Sequence, residues 1–339
     1  MSSVSEGRFP ASSVPSITPV PRRTMLLTGD GVRIEAVYTP CTAGSGGAGG
    51  GVPEGPAVVL AHGFTGAADR PALMRAARVF AQRAAVITFS FRGHGRSGGR
   101  STVGDREVAD LAAAVAWARS LGHRRIVTVG FSMGGSVVLR HAALYTTPES
   151  GESAAEEFGS AASDRVQRRT GAHQEHGGRA EAHSGIRTGA VPGAPASASA
   201  PCADRAAGHP ADAHTDAVVA VSAPARWYYR GTAPMRRLHW VVTRPAGRLV
   251  GRYGFRTRIQ REDWDPVPLS PVEAVPLIGV PLLIVHGDQD PYFPVDHPRM
   301  LAAAAGDGAE LWLEHGMGHA ENAADEALLT RIADWAQSA

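Results

Sequence analysis

Six short apolar runs, separated by stretches with helical spacing, most constrain what this chain can fold into. Apolar runs of this length are typical of strands that are buried on both faces. Between them, apolar residues recur at helical intervals, as at Leu73, Ala77 and Phe80. The pattern predicts an α/β fold with a mostly parallel central sheet and helices on both faces. The runs are AVVLAHG, AAVITFSF, RIVTVG, AVVAVSAP, PLLIVHG and ELWLEHG, at 57–63, 84–91, 125–130, 217–224, 281–287 and 310–316.

The chain outside these runs contains a hairpin and two tracts of low complexity. TMLLT and VRIEAVYT, joined by GDG, predict an N-terminal antiparallel hairpin. The glycine-rich tract at 41–56 predicts a flexible loop. We interpret residues 1–23 as a flexible tail and 146–215, which has almost no large apolar residue, as a disordered insertion. The predicted core therefore comprises 24–145 and 216–339.

Composition excludes several classes of protein. The chain has 339 residues, 43% of them hydrophobic, which is enough for a sizeable core, and its formal net charge of +2 gives no reason to expect a nucleic-acid partner. The sequence offers neither a window of about 18 apolar residues nor the apolar centre of a signal peptide, so we expect a cytoplasmic protein without stable membrane insertion. Cys41 and Cys202 do not form a disulfide or metal-binding pattern, and the histidines of the insertion repeat no ligand spacing.

The pattern Gly-x-Ser-x-Gly occurs twice, around Ser97 and around Ser132. Ser97 lies in a stretch typical of turns. Ser132, in GFSMGG, directly follows the run RIVTV and precedes a predicted helix, and glycines two residues to each side let a strand and a helix approach closely. The helix also directs its N–H groups at any anion that develops there. Ser132 is therefore the candidate nucleophile.

Candidates for an acid and a base follow the last two predicted strands. Asp288 and Asp290 come after the run at 281–287, and His315 and His319 come after the last run. Because the carboxyl ends of parallel strands meet at one edge of a sheet, these side chains are expected near Ser132. Their chain order is serine, aspartate, histidine.

AHGFTG, FRGHGRS, GFSMGG, HGDQDPYFP and GMGH together resemble the α/β-hydrolase superfamily, specifically its small soluble esterase-like members. The resemblance covers roughly 25–145 and 216–337. It implies that Ser132 is the nucleophile, His319 the general base and Asp290 the acid that orients it. Asp290 matches the family's setting through Phe293 and Pro294, while Asp288 caps a turn.

The resemblance further implies an oxyanion hole built from the backbone N–H groups of Phe64 and Met133. We interpret His62 as structural. In FSFRGHGRS the chain departs from the family, since Ser90 stands where an aspartate is usual. This puts in doubt the usual hydrogen bonding of the loop that carries Arg92.

The segment 226–275 is too long for a simple connection, and we interpret it as a small cap. It is rich in arginine and aromatic residues. Met235, Leu238 and Val241 fit one face of a short helix. Two interpretations stay open: a helix packed on the core with a solvated basic face, or a lid that binds an anionic or apolar acyl substrate or touches a membrane surface.

These residues predict a serine hydrolase that cleaves an ester or similar acyl bond of a small molecule through an acyl-enzyme, with no metal or cofactor. Alternatives within the fold are a peptidase, a thioesterase, a C–C hydrolase or a cofactor-free haloperoxidase, and outside enzymes a ligand-binding scaffold. The sequence leaves the substrate and the oligomeric state open.

Overall fold

The computed structural model describes residues 21–43, 55–146 and 211–339. Most of the predicted tail (1–23) and most of the predicted insertion (146–215) lie outside the described residues. The centre of the glycine-rich tract also lies outside them. All eight predicted strands lie within them.

One sheet of eight strands forms the centre of the molecule, in the order β1-β2-β4-β3-β5-β6-β7-β8. β1 pairs antiparallel with β2, and β2 pairs antiparallel with β4, whereas every remaining pair is parallel. The mostly parallel sheet and the antiparallel N-terminal hairpin are thus confirmed. The strands are β1 Arg22–Leu27, β2 Arg33–Thr39, β3 Ala57–Ala61, β4 Ala85–Phe89, β5 Ile126–Phe131, β6 Ala217–Val221, β7 Leu282–Gly287 and β8 Ala309–Glu314.

Helices cover both faces of this sheet, as the continuous apolar runs predict. Their bounds are α1 Pro71–Phe80, α2 Glu107–Ser120, α3 Met133–Leu144, α4 Ala233–Thr243, α5 Pro245–Tyr253, α6 Pro271–Ala274, α7 Asp296–Ala305, α8 Ala320–Ala323 and α9 Glu326–Ser338. Among the described helices, none is both long enough and apolar enough to cross a membrane.

Alternate residues of each central strand face different helices. In β3, Val59 belongs to an apolar cluster with α2, α3 and α7, whereas Val58 and Leu60 belong to a second cluster with α1 and α9. Every residue of β3, β4, β5, β6 and β7 is buried. The sixth predicted buried strand, β8, lies at the edge of the sheet and is only partly buried, so that expectation is wrong for this strand. Burial of apolar surface contributes about 25 cal/mol of folding free energy per Å². The two apolar clusters therefore supply the main stabilisation of the sheet.

The segment that joins β6 to β7 carries α4 and α5 and lies at the carboxyl edge of the sheet. Ile259 forms a β-bridge with Ser101, which follows β4. The Oγ1 hydroxyl of Thr232 donates to the carbonyl of Tyr292, which follows β7, at 2.9 Å. As the sequence predicts for α4, Met235 and Val241 are buried and the arginines beside them are exposed.

Helix α3 packs so closely against the sheet that only glycine fits at two positions. A Cβ atom at Gly130 would lie 2.1 Å from the carbonyl oxygen of Gly134, and one at Gly134 would lie 2.2 Å from that of Ala61. Both distances are far below van der Waals contact, and both partners are backbone atoms that cannot rotate away. The glycines on either side of Ser132 are therefore required by packing.

Replacing Gly134 by alanine is expected to lower the free energy of unfolding by about 3 kcal/mol, because the new methyl group forces α3 away from β3. Gly279→Ala is the matched control, since a Cβ there meets nothing within 4 Å, and its effect should stay within about 0.5 kcal/mol. Urea unfolding measures both variants. Equal stability of the two would contradict the packing argument.

Candidate active site

Ser132 occupies the sharp turn between β5 and α3. Its backbone has φ 52° and ψ −112°, a conformation that residues with a side chain rarely adopt. The Ser132 N–H donates to the carbonyl of Val221 at the end of β6, at 2.9 Å, which holds the turn against the neighbouring strand. The predicted arrangement of strand, sharp turn and helix is present, and the hydroxyl lies at the carboxyl edge of the sheet.

His319 lies within hydrogen-bonding distance of Ser132 on one side and of Asp290 on the other. Ser132 Oγ is 2.9 Å from His319 Nε2, and His319 Nδ1 is 2.7 Å from Asp290 Oδ2. The second oxygen of Asp290 accepts the N–H groups of Tyr292 and Phe293, at 2.8 and 3.1 Å. The three side chains that the sequence singles out thus form one continuous chain of hydrogen bonds.

The environment of Asp290 favours its charged form. Burial of the carboxyl raises its pKa, but the hydrogen bond and electrostatic interaction with His319 and the two backbone N–H groups together outweigh burial and hold the pKa below its usual value. An ionised carboxylate only accepts hydrogen bonds, so the proton of His319 resides on Nδ1. Nε2 is then left to accept the hydroxyl proton of Ser132.

The other aspartate and histidine pair with each other away from Ser132. His315 Nδ1 is 2.7 Å from Asp288 Oδ2, and the side chain of His315 is 94% exposed. The second oxygen of Asp288 accepts the N–H of Gly316, as expected of a residue that caps a turn. Among the described residues, no serine hydrogen-bonds to this second pair, which separates it from the chain that ends at Ser132.

Phe64 and Met133, the predicted oxyanion-hole residues, lie next to the turn on two different elements. Phe64 follows β3 in the loop that begins at His62, and Met133 is the first residue of α3. Neither backbone N–H donates to another of the described residues. Both groups therefore remain available to a ligand, although their role stays a prediction.

His62 fixes the loop that carries Phe64. Its Nδ1 donates to the carbonyl of Gly63 at 2.6 Å, and its Nε2 accepts the N–H of Phe91 at 3.0 Å. Burial lowers the pKa of His62 well below the usual value, so the ring is neutral. With both nitrogens engaged in this way, His62 holds the loop in place.

The serine of the second Gly-x-Ser-x-Gly pattern serves the loop after β4. Ser97 Oγ donates to the carbonyl of Ser90 and accepts the N–H of Glu35 at 2.9 Å. Ser90 itself accepts the N–H of Ala68 at 3.0 Å and donates to Glu35 at 3.3 Å. Two serines and a buried glutamate thus provide hydrogen bonds in the loop where an aspartate is usual.

Glu321 and Ser222, two residues that sequence reasoning did not select, fix the loop of His319. Glu321 Oε1 accepts the N–H of Gly63 at 3.2 Å, which connects this loop to the one that carries Phe64. Ser222 Oγ accepts the N–H of Ala320 at 3.1 Å. Ser222 directly follows β6, so its place at the carboxyl edge was a usable signal, whereas no motif marks Glu321.

Two further buried histidines lie behind the loop of Asp290. His286 Nε2 donates to the carbonyl of Phe293 at 2.8 Å, and His297 Nδ1 accepts the N–H of Ala225 at 2.9 Å. Burial lowers the pKa of both rings, that of His297 to about 4. Both are therefore neutral near pH 7. No group of three or more metal-binding side chains comes together in the described part of the chain.

The lowered pKa of His297 makes stability depend on pH. The unfolded ring takes up a proton as the pH falls through about 6.5, whereas the folded ring does so only near pH 4. Its stabilising contribution is thus fully present above about pH 6.5 and is lost as the pH falls toward 4. His297→Asn keeps an acceptor for Ala225 and removes this titration.

Between about pH 7 and about pH 5, the free energy of unfolding of the wild type should therefore fall by about 2 kcal/mol more than that of His297→Asn. Urea unfolding at both pH values measures the difference. A fall of the same size in both proteins would show that this ring does not titrate as described. Above about pH 7 the difference between the two proteins should stay constant.

Comparison with solved structures gives several with a similar fold. The esterase Pf2001 of Pyrococcus furiosus aligns with a TM-score of 0.56 at 17% identity, over 93% of this chain and 91% of that chain. The α/β hydrolase GrgF of Penicillium sp. sh18 gives 0.55 at 15% identity, over 94% and 99%. The esterase domain of a Rhodothermus marinus protein gives 0.51 at 16% identity, over 94% and 99%. At such identities the likeness establishes the fold alone.

Comparison with curated protein sequences gives no match. The model of the alpha/beta hydrolase family, however, matches residues 58–330. This range begins in β3 and ends in α9, and so includes Ser132, Asp290 and His319. Because the match spans most of the sequence and the strand order and the turn at Ser132 are in place, the chain belongs to the alpha/beta hydrolase family.

Proposed function

We propose that this protein is a serine hydrolase that cleaves a carboxylic ester or similar acyl bond through an acyl-enzyme on Ser132. The observation that carries the proposal is the continuous hydrogen-bonded chain from Ser132 through His319 to Asp290, at 2.9 and 2.7 Å. A serine hydroxyl is a weak nucleophile until an adjacent base accepts its proton. Some of the structures of similar fold are esterases, which is compatible with the proposed reaction. The proposal itself rests on the triad formed by Ser132, His319 and Asp290.

In the first half of the reaction, Ser132 Oγ attacks the acyl carbon while its proton passes to His319 Nε2. The carbonyl oxygen becomes an oxyanion, which the N–H groups of Phe64 and Met133 stabilise, typically by about 3–4 kcal/mol for each donor. Asp290 stabilises the charge on the imidazolium. When the tetrahedral intermediate collapses, His319 gives its proton to the leaving oxygen, and the acyl group stays on Ser132.

In the second half, water takes the place of the leaving group. His319 accepts a proton from this water, and the hydroxide attacks the acyl carbon. Collapse of the second tetrahedral intermediate breaks the bond to Ser132 Oγ, which regains its proton from His319. The products are an alcohol and a carboxylic acid, and the three side chains return to their starting protonation states.

Replacement of Ser132 tests the nucleophile directly. Ser132→Ala should abolish covalent labelling by a fluorophosphonate probe and lower the turnover of p-nitrophenyl acetate by at least about 10⁴-fold, because the acyl group then has no acceptor. Ser97→Ala removes the other serine of the same local pattern and should still be labelled, provided that its thermal melting shows a folded protein. Full labelling of Ser132→Ala would disprove the proposal.

A second pair of variants tests the choice between the two aspartates. Asp290→Asn places an amide beside His319 and favours the wrong tautomer of the ring, so kcat should fall by about 10⁴-fold. Asp288→Asn alters the exposed pair with His315 and should leave kcat close to that of the wild type. Steady-state kinetics on p-nitrophenyl acetate measures both. The reverse ranking of the two variants would assign the acid to Asp288.

A further inference from the structure

The segment that joins β6 to β7 has an extreme charge distribution. Residues 226–261 contain ten arginines and neither aspartate nor glutamate. None of these arginines forms an ion pair with an acidic side chain of the described residues. The chain as a whole has a formal net charge of only +2. Positive charge is therefore concentrated in residues 226–261, without ion pairs to described acidic side chains, and the acidic residues of the segment that joins β6 to β7 occur only beyond this range, from Glu262 onward.

Helix α5, within this segment, exposes its large apolar residues and buries its two glycines. A Cβ at Gly247 would lie 2.3 Å from the carbonyl oxygen of Trp240, and one at Gly251 would touch Ile259 at 3.0 Å, so the glycines face the protein. Leu249 is 57% exposed and Tyr253 74% exposed. A surface helix of a soluble domain normally shows the opposite pattern, with its apolar stripe toward the core.

Neighbouring residues extend this apolar face and surround it with arginines. The exposed Phe255 follows α5, and the guanidinium of Arg252 lies 5.5 Å from the centre of the Tyr253 ring. On α4, the exposed Trp240 and two arginines line an open depression of about 500 Å³. We call α4, α5 and the residues up to Arg256 the arginine–aromatic face.

We infer that the arginine–aromatic face docks on an anionic lipid surface. Tryptophan and tyrosine are enriched where protein meets the headgroup region of a bilayer, and arginine binds the phosphates of that region. A helix with an apolar face between basic residues lies in the plane of such an interface without crossing it. This inference does not depend on the proposed hydrolysis.

The same charges argue against the other occupants of this face. In a symmetric dimer the same patch meets itself, so arginines would face arginines with no acid within the patch to offset the repulsion. An acidic protein or a nucleic acid would satisfy the arginines, but would not require the aliphatic Leu249 and Val250 to be exposed beside them. A lipid surface accounts for both the charge and the apolar side chains.

Docking in this manner would turn the carboxyl edge of the sheet toward the lipid. Thr232, at the start of α4, is hydrogen-bonded to the carbonyl of Tyr292. The Tyr292 ring lies 4.3 Å from the ring of His319. The arginine–aromatic face and the candidate triad are therefore connected at the same edge of the molecule.

Vesicle sedimentation of the full chain tests the inference. The protein should bind vesicles of phosphatidylcholine mixed with phosphatidylglycerol, should bind vesicles of phosphatidylcholine alone far more weakly, and should be released by added salt. Changing Arg244, Arg252 and Arg256 together to glutamine should weaken binding by about a hundredfold. The matched triple variant at the exposed Arg78, Arg124 and Arg299 lies outside the segment and should bind like the wild type.

The apolar contribution is tested separately. Leu249→Ser with Tyr253→Ser should weaken vesicle binding by at least about tenfold, whereas Met25→Ser with Leu27→Ser, at exposed positions of β1, should not. Thermal melting by circular dichroism confirms that each variant is folded. Failure of the wild type to bind anionic vesicles at low salt overturns the inference.

Other occupants give distinct results, each of which also overturns the inference. Vesicle binding that is unchanged in the Leu249 and Tyr253 variant would indicate a general polyanion surface. A dimer in sedimentation velocity that this variant dissociates would assign the face to a second copy. Tighter binding to duplex DNA than to anionic vesicles, measured by fluorescence anisotropy at equal salt, would assign it to nucleic acid.

Discussion

Helix α3 lies so close to β5 and β3 that no side chain fits at Gly130 or Gly134, and the backbone of Ser132 between them has a positive φ. A residue with φ near +52° costs about 1–3 kcal/mol and persists only because its surroundings leave no alternative. The surroundings here are the fully buried strands β3, β5 and β6 and the helices on both sheet faces. The core of the sheet thus sets the position of one hydroxyl, and the loops that carry Asp290 and His319 are arranged around it.

The electrostatics of the site follow from the competition between burial and hydrogen bonding. Burial raises the pKa of Asp290, yet His319 and two backbone N–H groups outweigh burial and keep that pKa below its usual value. For His286 and His297 burial prevails, because each ring has one nitrogen without a partner among the described residues and too little nearby negative charge. The charged Asp290 therefore has neutral rings behind it. In the proposed mechanism, a positive charge on His319 would face this carboxylate with no competing cation among those rings.

Much of this arrangement was predictable from the sequence, because it depends on local patterns. Continuous apolar runs predict strands buried on both faces, and the glycines around Ser132 predict the close turn. The chain order of serine, aspartate and histidine was visible in the sequence, and the choice of Asp290 and His319 followed from the family resemblance. Glu321 was not predictable, since its contact with Gly63 joins segments far apart in the chain and needs no particular spacing. Ser222 was missed although its position directly after β6 was a usable signal. The outward-facing apolar side of α5 was also missed, because periodicity identifies an apolar stripe without showing which way it faces.

The hydrogen bond from Gly63 to Glu321 joins two loops that have different tasks. One loop presents the Phe64 N–H, and the other carries His319. A single carboxylate thus links the loop of the proposed oxyanion donor to the loop of the proposed base. Under the proposed mechanism, loss of this one hydrogen bond would therefore disturb proton transfer and oxyanion binding together.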